Sequence, residues 1–297
     1  MSSKLRLFDI AANLSDKTYQ GIYNKKSCHV NDTIHVINRA KQYGVDKFLL
    51  AGGNLKQSRK ALDVAKMAEG LYCTVGVHPC LATTIDSDDY FDKLHNLINE
   101  SQGKCIAVGE CGLDYDRFHF ADKESQLKAF PPHFDLAEKT GLPMYLHSRN
   151  TNGDFVNIVR NNRNRFSSAI VHSFTGDINE LRDLLSLDLY IGVNGCSLKT
   201  QENIEIVREI PIEKMMIETD CPYCEIRKSS PAYQYIHTHF QYKPKEKYNP
   251  DFLIRGRNEP CTIIQVLQAV AAIKNISEEM LAEVCYQNAC NLFHLST

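Results

Sequence analysis

Four short apolar runs in this chain each deliver an imidazole or a carboxylate. Cys105-Ile106-Ala107-Val108-Gly109 runs into Glu110, and Leu142-Pro143-Met144-Tyr145-Leu146 runs into His147. Ala169-Ile170-Val171 runs into His172, and Met215-Met216-Ile217-Glu218-Thr219 runs into Asp220. An apolar run of this length reads as a strand buried on both faces. An acid or imidazole just past its end leaves the core at one rim. Four such residues, far apart in sequence, predict one site where parallel strands converge. A closed barrel of parallel strands builds such a site, because its chemistry sits at the carboxyl ends of the strands.

The rest of the chain fits an α/β barrel of the TIM type, (β/α)8. Candidate strands fall at 5–10, 47–51, 72–77, 105–108, 143–146, 169–171, 189–192 and 215–218. Stretches of helical periodicity lie between most of them. Ile34, Ile37 and Ala40 precede Gly44, Leu62 and Ala65 precede Gly70, and Leu94, Leu97 and Ile98 precede Gly103. Leu127, Phe130, Phe134 and Ala137 form one longer stretch before Gly141. Glycine just past a periodic run is a helix stop. An irregular segment follows the last strand, about 222–260, too long for a simple connection and so expected to be a functional loop. Two helices, about 261–274 and 277–294, close the chain. A single barrel domain over 1–297 is the expected organisation.

Composition narrows the setting. The net charge of -2 gives no overall attraction for nucleic acid, so an anionic partner must be drawn by a local patch or by metal ions. No run approaches the length of a membrane span. The eleven cysteines are scattered, and several sit inside apolar runs. They read as reduced thiols of an intracellular protein, in nucleus or cytoplasm and not secreted. Cys221 and Cys224 have the spacing of half a zinc knuckle or a redox pair, but no second pair lies near them and they follow a barrel strand, so neither role is expected.

Two histidines and two carboxylates at strand ends suit a divalent metal such as Zn²⁺, Mn²⁺ or Mg²⁺. Around them the chain reads Val108-Gly-Glu-Cys-Gly-Leu-Asp-Tyr115, Gly76-Val-His-Pro79, Leu146-His-Ser-Arg149, Val171-His-Ser-Phe-Thr-Gly176 and Ile217-Glu-Thr-Asp-Cys-Pro-Tyr223. With Gly192-Val-Asn-Gly-Cys-Ser-Leu-Lys-Thr200 and Arg257-Asn-Glu-Pro260, these blocks resemble the TatD family of metal-dependent deoxyribonucleases, in its eukaryotic form. The resemblance implies an amidohydrolase-like barrel that hydrolyses phosphodiester bonds of DNA by metal-activated water, typically as a 3′-to-5′ exonuclease on single-stranded or duplex ends. It implies two divalent ions, Mg²⁺ being the usual one, with Glu110 shared between them, His147 and His172 on one, and Asp220 on the other. A monomer that engages no membrane is expected.

Many family members carry two strand-one histidines where this chain has Ala11 and Asn13. That leaves one ion an oxygen-rich shell, which favours Mg²⁺ over Zn²⁺. Asp220 is either the acceptor of the attacking water's proton or a ligand only. His78, Arg149 and Arg257 are the candidate substrate contacts, Arg149 through two donors to a phosphate oxygen. Between Tyr223 and Glu259, seven Lys and Arg residues interleave with rings such as Tyr233, Tyr242 and Phe252. That mixture suits single-stranded nucleic acid, or else a solvated loop packed on the rim. The competing readings are a small-molecule amide or ester hydrolase and a non-catalytic binding scaffold.

Overall fold

All eight expected strands form, in chain order. They are β1 (Leu7–Asp9), β2 (Val45–Leu50), β3 (Leu71–Val75), β4 (Cys105–Asp114), β5 (Met144–Arg149), β6 (Ala169–Val171), β7 (Tyr190–Val193) and β8 (Met215–Ile217). This computed structural model describes residues 5–296; residues 1–4 and 297, at the ends of the expected domain, lie outside the described residues. Each strand pairs in parallel with the next. The gap between β8 and β1 is spanned just past their carboxyl ends by a parallel bridge from Ala12 to Cys221. Asp9 fastens the same seam, accepting from Thr219 N at 3.0 Å and from Thr219 Oγ1 at 2.6 Å. Burial pushes its carboxyl up to about 7 against the pull of those bonds.

The helices are α1 (Thr33–Gln42), α2 (Leu55–Ala65), α3 (Tyr90–Glu100), α4 (Lys123–Ala129), α5 (Pro132–Thr140), α6 (Asp154–Asn161), α7 (Ile178–Ser186), α8 (Gln201–Glu209), α9 (Ile263–Lys274) and α10 (Glu278–Leu292). One large apolar layer joins strands to helices; α3, for instance, contributes Tyr90, Leu94, Leu97 and Ile98 at helical spacing. A second, separate cluster takes alternate strand residues, Phe8, Leu49, Ile106, Tyr145, Ile170 and Met216, and fills the barrel. α10 packs beneath that filling with Tyr286, Ala289 and Phe293. Asn288 Nδ2 donates to the Met215 carbonyl at 2.8 Å, which sets α10 at the amino end of β8. The opposite mouth is left for the loops. Among the described residues no helix is long and apolar enough to cross a membrane.

Three local expectations are revised. The periodic stretch before Gly141 is two helices, α4 and α5, because Pro131-Pro132 removes backbone donors and turns the chain between them. β4 runs on to Asp114, well past its expected end. The 222–260 segment holds short 3-10 turns and a two-residue strand pair, Tyr242–Lys243 against Leu253–Ile254.

A buried ion network ties that segment down. Arg257 donates to both carboxylate oxygens of Asp32 at 2.8 and 2.7 Å and to Glu259 at 2.8 Å, while Arg39 Nε meets the other Glu259 oxygen at 2.8 Å. Arg257 is only 1% exposed. Removing it would leave the buried Asp32 carboxylate without a counter-ion and Glu259 with Arg39 alone, at a cost of about 3–5 kcal/mol.

His133 of α5 sets the approach to His78. Its Nε2 accepts from Val77 N at 2.9 Å, so the proton sits on Nδ1, which faces the Phe130 carbonyl at 3.1 Å. Burial lowers this imidazole to about 4, from an ordinary 6.5. The unfolded chain therefore binds a proton that the folded chain refuses. This contribution is complete above pH 6.5 and is lost as pH falls toward 4, on the order of 3 kcal/mol in all. His133→Gln keeps an acceptor for Val77 and cannot titrate. Its denaturant midpoint is expected to fall less than that of the wild type between pH 7 and pH 5, and parallel pH profiles would contradict this.

Candidate active site

Glu110 reaches the barrel mouth through a fault in β4. The register against β5 slips between Gly109 and Cys111, leaving Glu110 as the extra, unpaired residue. A bulge of this kind re-aims a side chain without ending the strand. Glu110 N instead donates to the Gly52 carbonyl at 2.9 Å, past the end of β2. Glycine is required on both sides. Gly109 and Gly112 have φ of +148° and +144°, and a Cβ at either would overlap the carbonyl oxygen of Tyr145 or His147 on β5.

One oxygen of Glu110 then meets three imidazoles. Oε1 lies 2.7 Å from His172 Nε2, 2.9 Å from His147 Nδ1 and 3.3 Å from His78 Nε2. The ligand atoms of His78, Glu110 and His147 all fall within 4.8 Å of one another. His78 is brought into this group by the turn after β3, where its Nδ1 accepts from Cys80 N at 3.0 Å. Burial alone would raise the Glu110 carboxyl, but His172, His78 and the imidazole hydrogen bonds hold it well below the usual carboxylate range. Burial would likewise lower His172, yet the Glu110 and Glu218 charges hold it well above an ordinary imidazole.

Further carboxylates stand behind two of the rings. His147 Nε2 faces Asp114 Oδ2 at 3.2 Å, and His172 Nδ1 faces Glu218 Oε1 at 3.4 Å. Each ring thus has an acid at both nitrogens. A neutral imidazole carries one N–H and can satisfy only one of them. The cluster is short of positive charge, and only added protons or a bound cation can supply it. The shortfall leaves buried atoms without partners: His172 Nδ1 has no well-formed hydrogen bond, and Glu218 Oε2 has none. Unsatisfied groups of this kind in a buried polar cluster fit a bound cation or an ordered water nearby. Imidazole and carboxylate together fit a divalent metal.

Asp220 stands beside this group, within reach of the His172 and Glu110 charges. Asn13 Nδ2 donates to its Oδ1 at 3.0 Å, and Cys224 Sγ lies 3.2 Å from its Oδ2. Burial raises the Asp220 carboxyl to about 6, against the pull of His172. Cys224 is also 2.9 Å from Cys196 Sγ, so its neighbour is a cysteine from the loop after β7 and not Cys221, which is buried. Arg149 ends β5 with Nη1 3.9 Å from Asp114 Oδ2, at the rim of the cluster. Arg257 is not brought to the site, since Asp32 and Glu259 occupy its Nη1 and Nη2 donors inside the protein.

The sequence reading named Glu110, His147, His172 and Asp220 as candidates, and all four side chains lie at one mouth of the barrel. It missed Asp114 and Glu218 as partners of the imidazoles. Both were visible as acids inside buried strand motifs, where an unpaired carboxylate is costly. It missed Asn194, which donates to Glu218 Oε1 at 2.8 Å from the end of β7. Nothing local marks the meeting of Cys196 with Cys224.

Eight parallel strands with an acid–imidazole cluster at their carboxyl ends define a TIM-type barrel whose candidate site lies at the mouth where such barrels carry their chemistry. Residues 8–294 match a family model described as TatD related DNase. The Deoxyribonuclease Tat-D of Schizosaccharomyces pombe is 43% identical, covering 97% of this chain and 96% of that protein. The 3'-5' ssDNA/RNA exonuclease TatD of Pectobacterium carotovorum is 30% identical, covering 98% of this chain and 100% of that protein. A crystal structure of a hydrolase TatD family protein from Entamoeba histolytica superposes with a TM-score of 0.94 at 32% identity, covering 99% of this chain and 100% of that one. The chain belongs to the TatD related DNase family, and it is a hydrolase acting on ester bonds.

Asp114 orients His147 from behind. Asp114→Asn is expected to weaken divalent-ion binding by roughly 10- to 100-fold, the usual effect of losing a carboxylate behind a ligating histidine. Titration calorimetry with Mn²⁺ measures it, and an unchanged affinity would contradict the role.

Proposed function

We propose that this chain is a metal-dependent deoxyribonuclease that removes nucleotides from single-stranded 3′ ends of DNA. The observation that carries the reading is the charge shortfall around Glu110, where His147 and His172 each stand between two carboxylates. Glu110, His147 and His172 would hold one divalent ion, with His78 at its edge and Asp220 beside it. When bound, such ions supply Lewis-acid stabilisation of the charge that builds on a phosphodiester under attack. The oxygen donors of Glu110 and Asp220 favour Mg²⁺ for a second position, while the three imidazoles keep Mn²⁺ and Zn²⁺ in play at the first.

The chain's own side chains do the remaining work. Asp220, anchored by Asn13 and held near the neutral range by its burial, accepts a proton from the attacking water. Arg149, a quarter exposed at the rim, offers its guanidinium to a phosphate oxygen. The names of two relatives support the substrate: one is a deoxyribonuclease, the other a 3'-5' ssDNA/RNA exonuclease. Eleven free thiols support a reducing compartment, nucleus or cytoplasm. We take the working unit to be a monomer.

The test is a titration of Mg²⁺, Mn²⁺ and Zn²⁺ against end-labelled single- and double-stranded DNA, with products resolved by length. A single-nucleotide ladder growing from 3′ ends is expected. Glu110→Gln should lower the rate on the order of 10²- to 10³-fold or more, with thermal unfolding still cooperative. Cleavage by Glu110→Gln at the wild-type rate would refute the assignment.

A further inference from the structure

Two adjoining cavities lead away from Asp220 along the loop that follows β8. The first, about 330 Å³, is lined by Cys196, Lys199, Tyr223, Cys224 and Arg227 among others. It opens beside the site, because Cys224 Sγ is 3.2 Å from Asp220 Oδ2. The second, about 640 Å³, is lined by Arg227, Lys228, Tyr233, His239, Tyr242 and Arg255 among others. Glu225, Arg227 and Gly256 line both, so the two are one groove.

Its walls are fixed to the barrel. Asn258 Nδ2 donates to the Tyr223 carbonyl at 2.7 Å and to the Thr219 carbonyl at 3.2 Å, and Ser230 Oγ donates to the Leu198 carbonyl at 2.6 Å. Arg255 is placed by the short strand pair, where its N–H donates to the Lys243 carbonyl at 2.9 Å.

The cations of the loop divide into two sets. Lys243 lies over the Phe252 ring at 3.9 Å and Lys245 over the Tyr23 ring at 4.9 Å, so both are engaged within the protein. Those of the groove are not. Arg227 is 78% exposed and meets Glu225 only at 4.0 Å. Lys228 and Arg255 are exposed, and among the described residues neither is ion-paired. Tyr242 presents its ring among them. Unpaired cations spaced along a groove with an accessible ring are the equipment for phosphates in succession and a stacked base. Only an unpaired strand can turn a base face toward a ring, since a duplex keeps its bases stacked on one another.

We propose that this groove holds the single-stranded polynucleotide next to the phosphodiester being cut, with phosphates along Lys199, Arg227, Lys228 and Arg255 and a base on Tyr242. The proposal rests on the nuclease reading for the position of the cut, so binding is measured apart from cleavage. Fluorescence anisotropy of the full chain in EDTA would use oligo(dT), oligo(U), the dinucleotide dTpdT and a blunt hairpin duplex. The wild type is expected to bind both oligomers at least tenfold more tightly than dTpdT.

The combined Arg227→Ala, Lys228→Ala and Arg255→Ala variant should lose at least tenfold on both oligomers. Its slope of log affinity against log salt should flatten by about 2, from three lost phosphate contacts. Tyr242→Ala should lose roughly 5- to 150-fold without changing that slope, while Tyr242→Phe retains binding. Lys60→Ala on α2 is the control for bulk charge. Equal losses on oligomers and blunt duplex, an unaltered salt slope, or the same loss in the control would overturn the proposal, as would oligomers binding no better than dTpdT. The nuclease reading fails separately, if wild-type protein in Mg²⁺ binds oligo(dT) and leaves it intact.

Discussion

Two imidazoles, each caught between two carboxylates, set the terms for everything at this barrel mouth. His147 joins Glu110 to Asp114, and His172 joins Glu110 to Glu218. In a buried place, acids without matching positive charge are expensive, and the neutral rings cannot supply it. The same arrangement makes the site a competitor for cations. Protons and divalent ions seek the same nitrogens and oxygens, so occupancy by one excludes the other.

The barrel can present this cluster because three departures from regular strand geometry coincide. The bulge in β4 turns Glu110 inward, and glycines at 109 and 112 let β4 lie against the β5 carbonyls while it does so. β4 then continues to Asp114, which places the second acid behind His147. At the far side of the ring, Asp9 and Thr219 close the seam between β1 and β8. That seam brings Asn13 to Asp220, where its amide works as a donor to the carboxylate. Fold and site share the same few contacts.

Much of this was legible along the chain, and the failures have physical reasons. Strand β6 forms over the residues its apolar run marked, and α9 and α10 fall where helical periodicity ended the chain. Periodicity carries no information about register, so the bulge at Glu110 and the length of β4 stayed hidden. Pro131-Pro132 was a visible breaker inside a run whose apolar spacing argued for continuity. Arg257 looked like a loop cation and is a buried one, because its partner Asp32 is 225 residues away in sequence. Loop composition marked a basic, aromatic segment but could not separate cations turned onto rings, Lys243 and Lys245, from those left open, Arg227 and Arg255.

Anomalous diffraction from crystals soaked in Mn²⁺ reads cation binding at this mouth. A strong peak is expected within bonding distance of Glu110 and His147, with His172 or His78 completing the imidazole side. Strong manganese peaks elsewhere, with that cluster bearing none, would contradict it.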